Sequence, residues 1–322
     1  MTCWNYDRVA ALLDGRVTIP GVELAVEVQY PTQIFASAFT EAPYDISELS
    51  ASSYVMQLAK GACPYVALPA YLSRAFRHGG IYVRTDRGIA GPKDLEGRLV
   101  GVPEYQMTMA LWARGLLADE YGVDTDRLRY RTGGLNQAGR KERLTLDLPA
   151  RMDVAPVAEG RTLNELLVAG ELDAVIAPAP PDAFVAGDAR IARLFPDVRA
   201  AERDYYARTG IFPIMHLVGL RRELAEAQPG LARAVYDALL ESRRLAMAEL
   251  AATATASANR IQLPWLAAEW EDTRALMGVD YWPYGVERNR AALDALCRYS
   301  VAQHLAPERL SPDRLFHPET LD

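Results

Sequence analysis

The sequence predicts an α/β protein of two lobes with a ligand cleft between them. Segments of strand and helix character alternate along most of the chain, the pattern of α/β units. The 322 residues are long for a single hydrophobic core. The first run of units breaks at Thr85–Gly97, which is rich in glycine and charge, and much later the apolar segment Thr209–Leu220 reads as a strand returning to the first lobe. The expected division is residues 1–84 plus 213–322 for one lobe and 85–212 for the other. A chain that crosses twice closes over a small ligand by hinge motion, and strand ends with helix N-termini line the cleft.

Taken in order, Thr2–Trp4 is a short strand and Asp7–Asp14 a helix. Val22–Val28 has the two-residue alternation of a half-buried strand. Pro31 and Thr32 open a helix through Phe39, and Tyr44–Leu49 is a strand that presents Glu48 near its end. Ser50, Ser52 and Ser53 follow, at the start of a helix to Lys60. Serines there cap free N–H groups, and a helix start also attracts anions. Val66–Leu68 is a buried strand leading into SRAFRHGGIYVR, Ser73–Arg84.

That stretch concentrates chemistry. Arg74, Arg77 and His78 are followed by Gly79, Gly80 and the strand Ile81–Arg84. Guanidinium forks match carboxylates, imidazole moves protons near neutral pH, and glycine permits positive φ or close approach of a ligand. A turn with solvated charges fits the same residues.

In the second lobe, Leu99–Val102 is a strand and Tyr105–Tyr121 an amphipathic helix, with Glu104 and Tyr105 at its mouth and Arg114 along it. Arg129–Thr132 is a strand, Gly133–Pro149 a polar loop or arm, Thr162–Gly170 a helix, Leu172–Ala177 a buried strand and Pro178–Asp188 a loop. Ala201–Arg208 is helical. The return strand carries His216, and a lone histidine there also fits a satisfied core residue. Helices follow at Gly230–Leu250, Pro264–Met277 and Val286–His304, the last two flanking the aromatic loop Asp280–Gly285.

A net charge of −7 argues against a nucleic-acid or anionic-membrane binder, while leaving room for a local basic pocket. Cys3, Cys63 and Cys297 are scattered, as expected of reduced thiols in a cytoplasmic protein. The N-terminal MTCWNYDRVAALLDG lacks the basic start and apolar core of a secretory signal, and no apolar run reaches the length of a membrane span. There is no GxGxxG after a strand, no Walker loop, no GxSxG elbow and no HExxH or paired-cysteine metal spacing. Convergence of His78, His216 and Glu48 or Glu104 on a metal stays open.

Several segments together are distinctive: CWNYDR (Cys3–Arg8), YDISELSASSY (Tyr44–Tyr54), SRAFRHGGIYVRTD (Ser73–Asp86), GVPEYQMT (Gly101–Thr108), WARGLLADEYGV (Trp112–Val123), TGIFPIMH (Thr209–His216) and RALMGVDYWPYG (Arg274–Gly285) with Asn289 and Arg290. Almost end to end, the chain resembles the 4,5-dihydroxyphthalate decarboxylases, a branch of the type II periplasmic-binding-protein fold. One departure is His304, where a glycine is expected.

The resemblance implies non-oxidative decarboxylation of 4,5-dihydroxyphthalate to protocatechuate and CO2, with no cofactor required, a divalent metal left open, and a homo-oligomeric state. Two adjacent carboxylates require concentrated positive charge. Arg74 and Arg77 can supply it with Arg8 and Arg114 as partners, and Ser50 lies in position to line the cleft. The ring carbon that loses CO2 must gain a proton. His216 and His78 are the candidate acids, with Glu48 or Glu104 to orient or reprotonate them. Phe76, Tyr105 and Tyr284 can form a less polar wall. Two other readings fit the same fold: a non-catalytic binding protein for an aromatic carboxylate, and a different lyase of the chorismate-dehydratase kind.

Overall fold

The computed structural model describes residues 1–321. In chain order its strands are β1 (Thr2–Cys3), β2 (Glu27–Val28), β3 (Ile46–Ser50), β4 (Tyr65–Arg74), β5 (Ile81–Arg84), β6 (Leu99–Val102), β7 (Arg129–Thr132), β8 (Val154–Pro156), β9 (Ala174–Ile176), β10 (Ile191–Arg193) and β11 (Ile214–Arg221). They form two sheets, ordered β2-β1-β3-β11-β4 and β10-β5-β9-β6-β7-β8. The chain is thus a two-lobed α/β protein with one sheet per lobe. The division differs from expectation at the first crossing. Ile81–Arg84 pairs with β9 and β10, so the chain changes lobe before β5, not after Arg84. It returns immediately before β11.

Helices α1 (Asp7–Leu13), α2 (Pro31–Ser37) and α3 (Ala51–Ala59) follow strands of the first lobe, and α4 (Thr108–Tyr121) follows β6 in the second. Val22–Glu27 alternates in burial as its sequence does, with Val28 exposed against that pattern, and only Glu27 and Val28 find a ladder partner. β4 is longer than its apolar core suggests and is an outer strand of its sheet. That position tolerates Pro69, which has no N–H to donate. The β4–β11 ladder shifts register on both sides of His216. Such bulges re-aim a side chain and gather near active sites.

The lobes share one continuous core. From Thr108 to Leu117, α4 is buried throughout, and the Trp112 indole N–H donates to the Ile214 carbonyl of β11 at 2.9 Å. Gly115 has no side chain because the Tyr299 ring occupies the place of a Cβ. His304 has φ of 62°, the left-handed conformation that ends a helix and favours glycine, which is why glycine is the residue expected there. No described helix is long and apolar enough to cross a membrane.

Candidate active site

β3 and β11 run antiparallel with Val218 opposite Glu48 and His216 opposite Ser50. Glu48 and His216 are therefore diagonal neighbours on one face, within reach of long side chains. The His216 Nδ1 lies 2.6 Å from Glu48 Oε1. Glu48 is fully buried and also accepts the Tyr6 hydroxyl at 2.7 Å and the Trp4 backbone N–H at 2.9 Å. Burial opposes its ionisation, but the hydrogen bonds from His216, Trp4 and Tyr6 outweigh it and hold the carboxyl below its ordinary value. Burial, reinforced by the neighbouring carboxylate, pushes the Tyr6 phenol far up, so Tyr6 stays a neutral donor. The carboxylate fixes the imidazole so that Nδ1 faces Glu48 and Nε2 is left for other work. No described residue bonds to Nε2. The His216 side chain is 18% exposed, and Phe35 packs edge-on against its ring at 4.8 Å.

Ser50 and its neighbours meet the second lobe. The Ser50 side chain makes no cap hydrogen bond; it pairs with the Thr108 hydroxyl at 2.9 Å. Ser52 donates to the Gln106 carbonyl at 2.5 Å, and Ser53 donates to the Gln106 side chain at 2.5 Å. These serines clasp the lobes together. Gln106 in turn donates to Glu104 at 2.7 Å. Glu104 is buried and ion-paired to Arg140 at 2.6 Å and Arg143 at 2.7 Å, both from the arm Gly133–Pro149. Arg143 lies over the Phe35 ring at 5.4 Å. A cleft of about 720 Å³ runs between α2 and this arm, a size suited to a small ligand.

The remaining sequence candidates lie elsewhere. His78 is buried against Phe195 and Tyr205 at 5.1 and 5.4 Å, with both ring nitrogens unpartnered. Burial pushes its imidazole down to about 4, so it is a neutral core residue apart from His216. Arg74 is spent on the Phe212 and Pro283 carbonyls, at 3.1 and 2.8 Å, and on Asn289. Arg77 donates to the Met215 sulfur at 3.1 Å. Phe76 stacks on Phe212 at 4.7 Å, between the two crossings. Arg8 is sandwiched between Tyr6 and Trp282, 4.3 Å from each ring, and so backs the Tyr6 phenol. Arg114 is wholly buried, bonded to Gln303 and to the Tyr105 carbonyl at 2.7 Å each. Tyr105 packs beneath it. Tyr284 is buried beside Tyr71 and Arg243. At Gly80 a Cβ would stand 2.8 Å from the Ala177 carbonyl and closer still to the Met109 side chain, so the missing side chain there makes room for protein atoms.

Comparison with known proteins decides the family. Over 318 residues, 99% of this chain and 96% of the relative, the sequence is 42% identical to a 4,5-dihydroxyphthalate decarboxylase of Comamonas testosteroni. The chain belongs to this family. A second decarboxylase of the same name, from Pseudomonas putida, is 44% identical over 202 residues, 63% of this chain and 78% of that one. Members of the 4,5-dihydroxyphthalate decarboxylase family are carboxy-lyases, and this chain is one of them. No protein-family model matches it. Among solved structures, a periplasmic sulfonate-binding protein of Methylobacillus flagellatus aligns with a TM-score of 0.56 at 13% identity, covering 98% of this chain and 86% of that one. The alkanesulfonate-binding protein of Xanthomonas axonopodis aligns at 0.51 and 15%, covering 96% and 91%. These likenesses establish the periplasmic-binding-protein fold of this decarboxylase family member.

Sequence reasoning missed Tyr6, Phe35, Arg140 and Arg143. Tyr6 sits in the CWNYDR segment but carries no sign of its partner 42 residues away. The basic run Arg140, Lys141, Arg143 was a usable signal, because it places three cations in four residues of an otherwise polar arm. Among the described residues, no group of three or more His, Cys, Asp or Glu side chains is arranged to hold a metal ion.

Proposed function

We propose that this chain decarboxylates 4,5-dihydroxyphthalate to protocatechuate and CO2, with His216 as the acid that protonates the departing carboxylate's ring carbon. The name shared by the two relatives supports the substrate. The observation that carries the role of His216 is the 2.6 Å contact between its Nδ1 and a buried, ionised Glu48.

Each substrate hydroxyl is para to one carboxylate. Electron donation from that hydroxyl directs a proton to the ring carbon bearing the carboxylate. Imidazolium Nε2 supplies the proton, and the new C–H bond forms as the ring becomes a dienone-like cation or, from the phenolate, a neutral dienone. The carbon–carboxylate bond then breaks. Its electron pair returns to the ring, CO2 leaves, and aromaticity is restored. One proton is consumed, and solvent returns it to His216. Glu48 stabilises the imidazolium and keeps Nε2 aimed, as the buried carboxylate of a catalytic triad does for its histidine. The hydroxylated ring takes up the transient charge, so the scheme needs no cofactor.

The test is an assay of purified protein with 4,5-dihydroxyphthalate, metal-stripped and then metal-restored, following CO2 and protocatechuate. His216→Gln is expected to lower kcat by about 10²–10⁴-fold, and turnover in D2O to place one deuterium on the ring. Full turnover by His216→Gln would move the acid elsewhere. Tight binding without product by the native protein would make it a binding protein.

A further inference from the structure

We propose that Arg143 is the specificity-determining cation of the cleft, its outer guanidinium edge receiving the carboxylate that the substrate keeps. The identity of the diacid rests on the decarboxylase reading above; the anion subsite rests on geometry.

Glu104 is saturated. Its Oε1 accepts Arg140 Nε at 2.7 Å, and its Oε2 accepts Arg143 Nε and Gln106 Nε2, each at 2.7 Å. A carboxylate so committed has no lone pair free to serve as a base, but it fixes two guanidinium groups in place. Arg143 gives Glu104 only its Nε edge. Its two terminal nitrogens meet no acceptor among the described residues, although the side chain is only 16% exposed. A guanidinium anchored along one edge and open along the other presents a parallel pair of donors that matches a carboxylate.

The location fits. Arg143 touches Phe35, and Phe35 touches His216, so the open fork is one aromatic ring from the proposed acid. Both Arg140 and Arg143 line the cleft with Lys141. Three cations thus face one carboxyl side chain, Glu104. The arm carries two acids of its own: Glu142 is pushed up to about 7, chiefly by burial, and neither it nor Asp147 lines the cleft.

The chemistry selects which carboxylate is held. A cation on the departing carboxylate would stabilise charge that must leave it in the transition state, raising the barrier. A cation on the adjacent carboxylate holds a charge that persists from substrate to product. The ortho arrangement then directs the neighbouring ring carbon toward His216. It follows that protocatechuate, which retains the held carboxylate, competes for the same fork, and catechol, which has none, does not.

The experiment is calorimetric titration of the native protein, Arg143→Gln and Arg143→Lys with phthalate, protocatechuate and catechol, alongside steady-state kinetics. Arg143→Gln is expected to weaken phthalate and protocatechuate by about 10- to 100-fold, the worth of a charged hydrogen-bonded pair, with catechol binding unchanged. KM for 4,5-dihydroxyphthalate rises by a similar factor and kcat changes less. Arg143→Lys keeps the charge and the stem but not the fork, and falls between. Phthalate affinity of both Arg143 variants within about twofold of native overturns the proposal, as does equal loss of catechol binding or failure of the native protein to bind phthalate. Native phthalate binding lost in Arg143→Gln, but without native turnover, overturns the decarboxylase reading and leaves the subsite standing.

Discussion

Replacing His78 by Phe should make the protein more resistant to acid without slowing it. The His78 ring is 1% exposed, sits edge-on to two aromatic rings and has no hydrogen-bond partner for either nitrogen. Burial, helped by the Arg208 charge, lowers its value from 6.5 to about 4. In the unfolded chain the same imidazole titrates near its ordinary value. Between about pH 6.5 and 4 the unfolded state therefore binds more protons than the folded one, and stability falls as pH falls through that window. Each pH unit of difference is worth about 1.4 kcal/mol, so native protein loses about 2–3 kcal/mol through this group between about pH 7 and 4.5. Phe keeps the ring shape and cannot titrate. Urea unfolding of both proteins at the two pH values gives the measurement. The variant should lose about 2 kcal/mol less than native on acidification, and its kcat should stay within about threefold. Equal acid loss in both proteins would refute the assignment of a neutral buried imidazole. A large fall in kcat with unchanged stability would return His78 to the reaction.

Two further outcomes test the supporting structure. Tyr6→Phe removes a 2.7 Å donor from Glu48, so the carboxyl ionises less readily. The acid limb of the kcat profile should move to higher pH and the rate fall by about tenfold, as loss of a charged hydrogen bond predicts; an unmoved limb would separate Tyr6 from the dyad. Arg74→Leu leaves the Phe212 carbonyl and the Asn289 side-chain oxygen without this donor, while the Pro283 carbonyl keeps the Asn289 amide. It should cost about 3 kcal/mol, or about 4–5 °C in Tm for a chain of this length, with kcat unchanged while folded; the reverse pattern would place Arg74 in substrate binding.

Local pattern alone determines much of this protein. Alternation of strand and helix segments dictates the α/β class, and the break at Thr85–Gly97 with the apolar return at Thr209–Leu220 points to two lobes, although only the sheet pairing of β5 places the first crossing ahead of Ile81. Glu48, Ser50 and His216 are legible because each stands at or near the end of a recognisable strand, where α/β folds open their clefts. Which arginine serves the ligand is not legible. Arg74, Arg77 and Arg114 stand in the right segments, but their direction depends on what packs around them. A buried guanidinium takes whatever carbonyls the fold brings within reach; here Arg74 takes those of Phe212 and Pro283, both remote in sequence, and Arg114 takes that of Tyr105. In the arm Gly133–Pro149 the one readable alternation, Leu144–Leu148, leaves out Arg140 and Arg143, so only tertiary packing seats them on Glu104. The same limit separates the two histidines. His78 and His216 look equivalent in composition, and it is the register of β3 against β11 that gives one of them a buried carboxylate and leaves the other among aromatic rings.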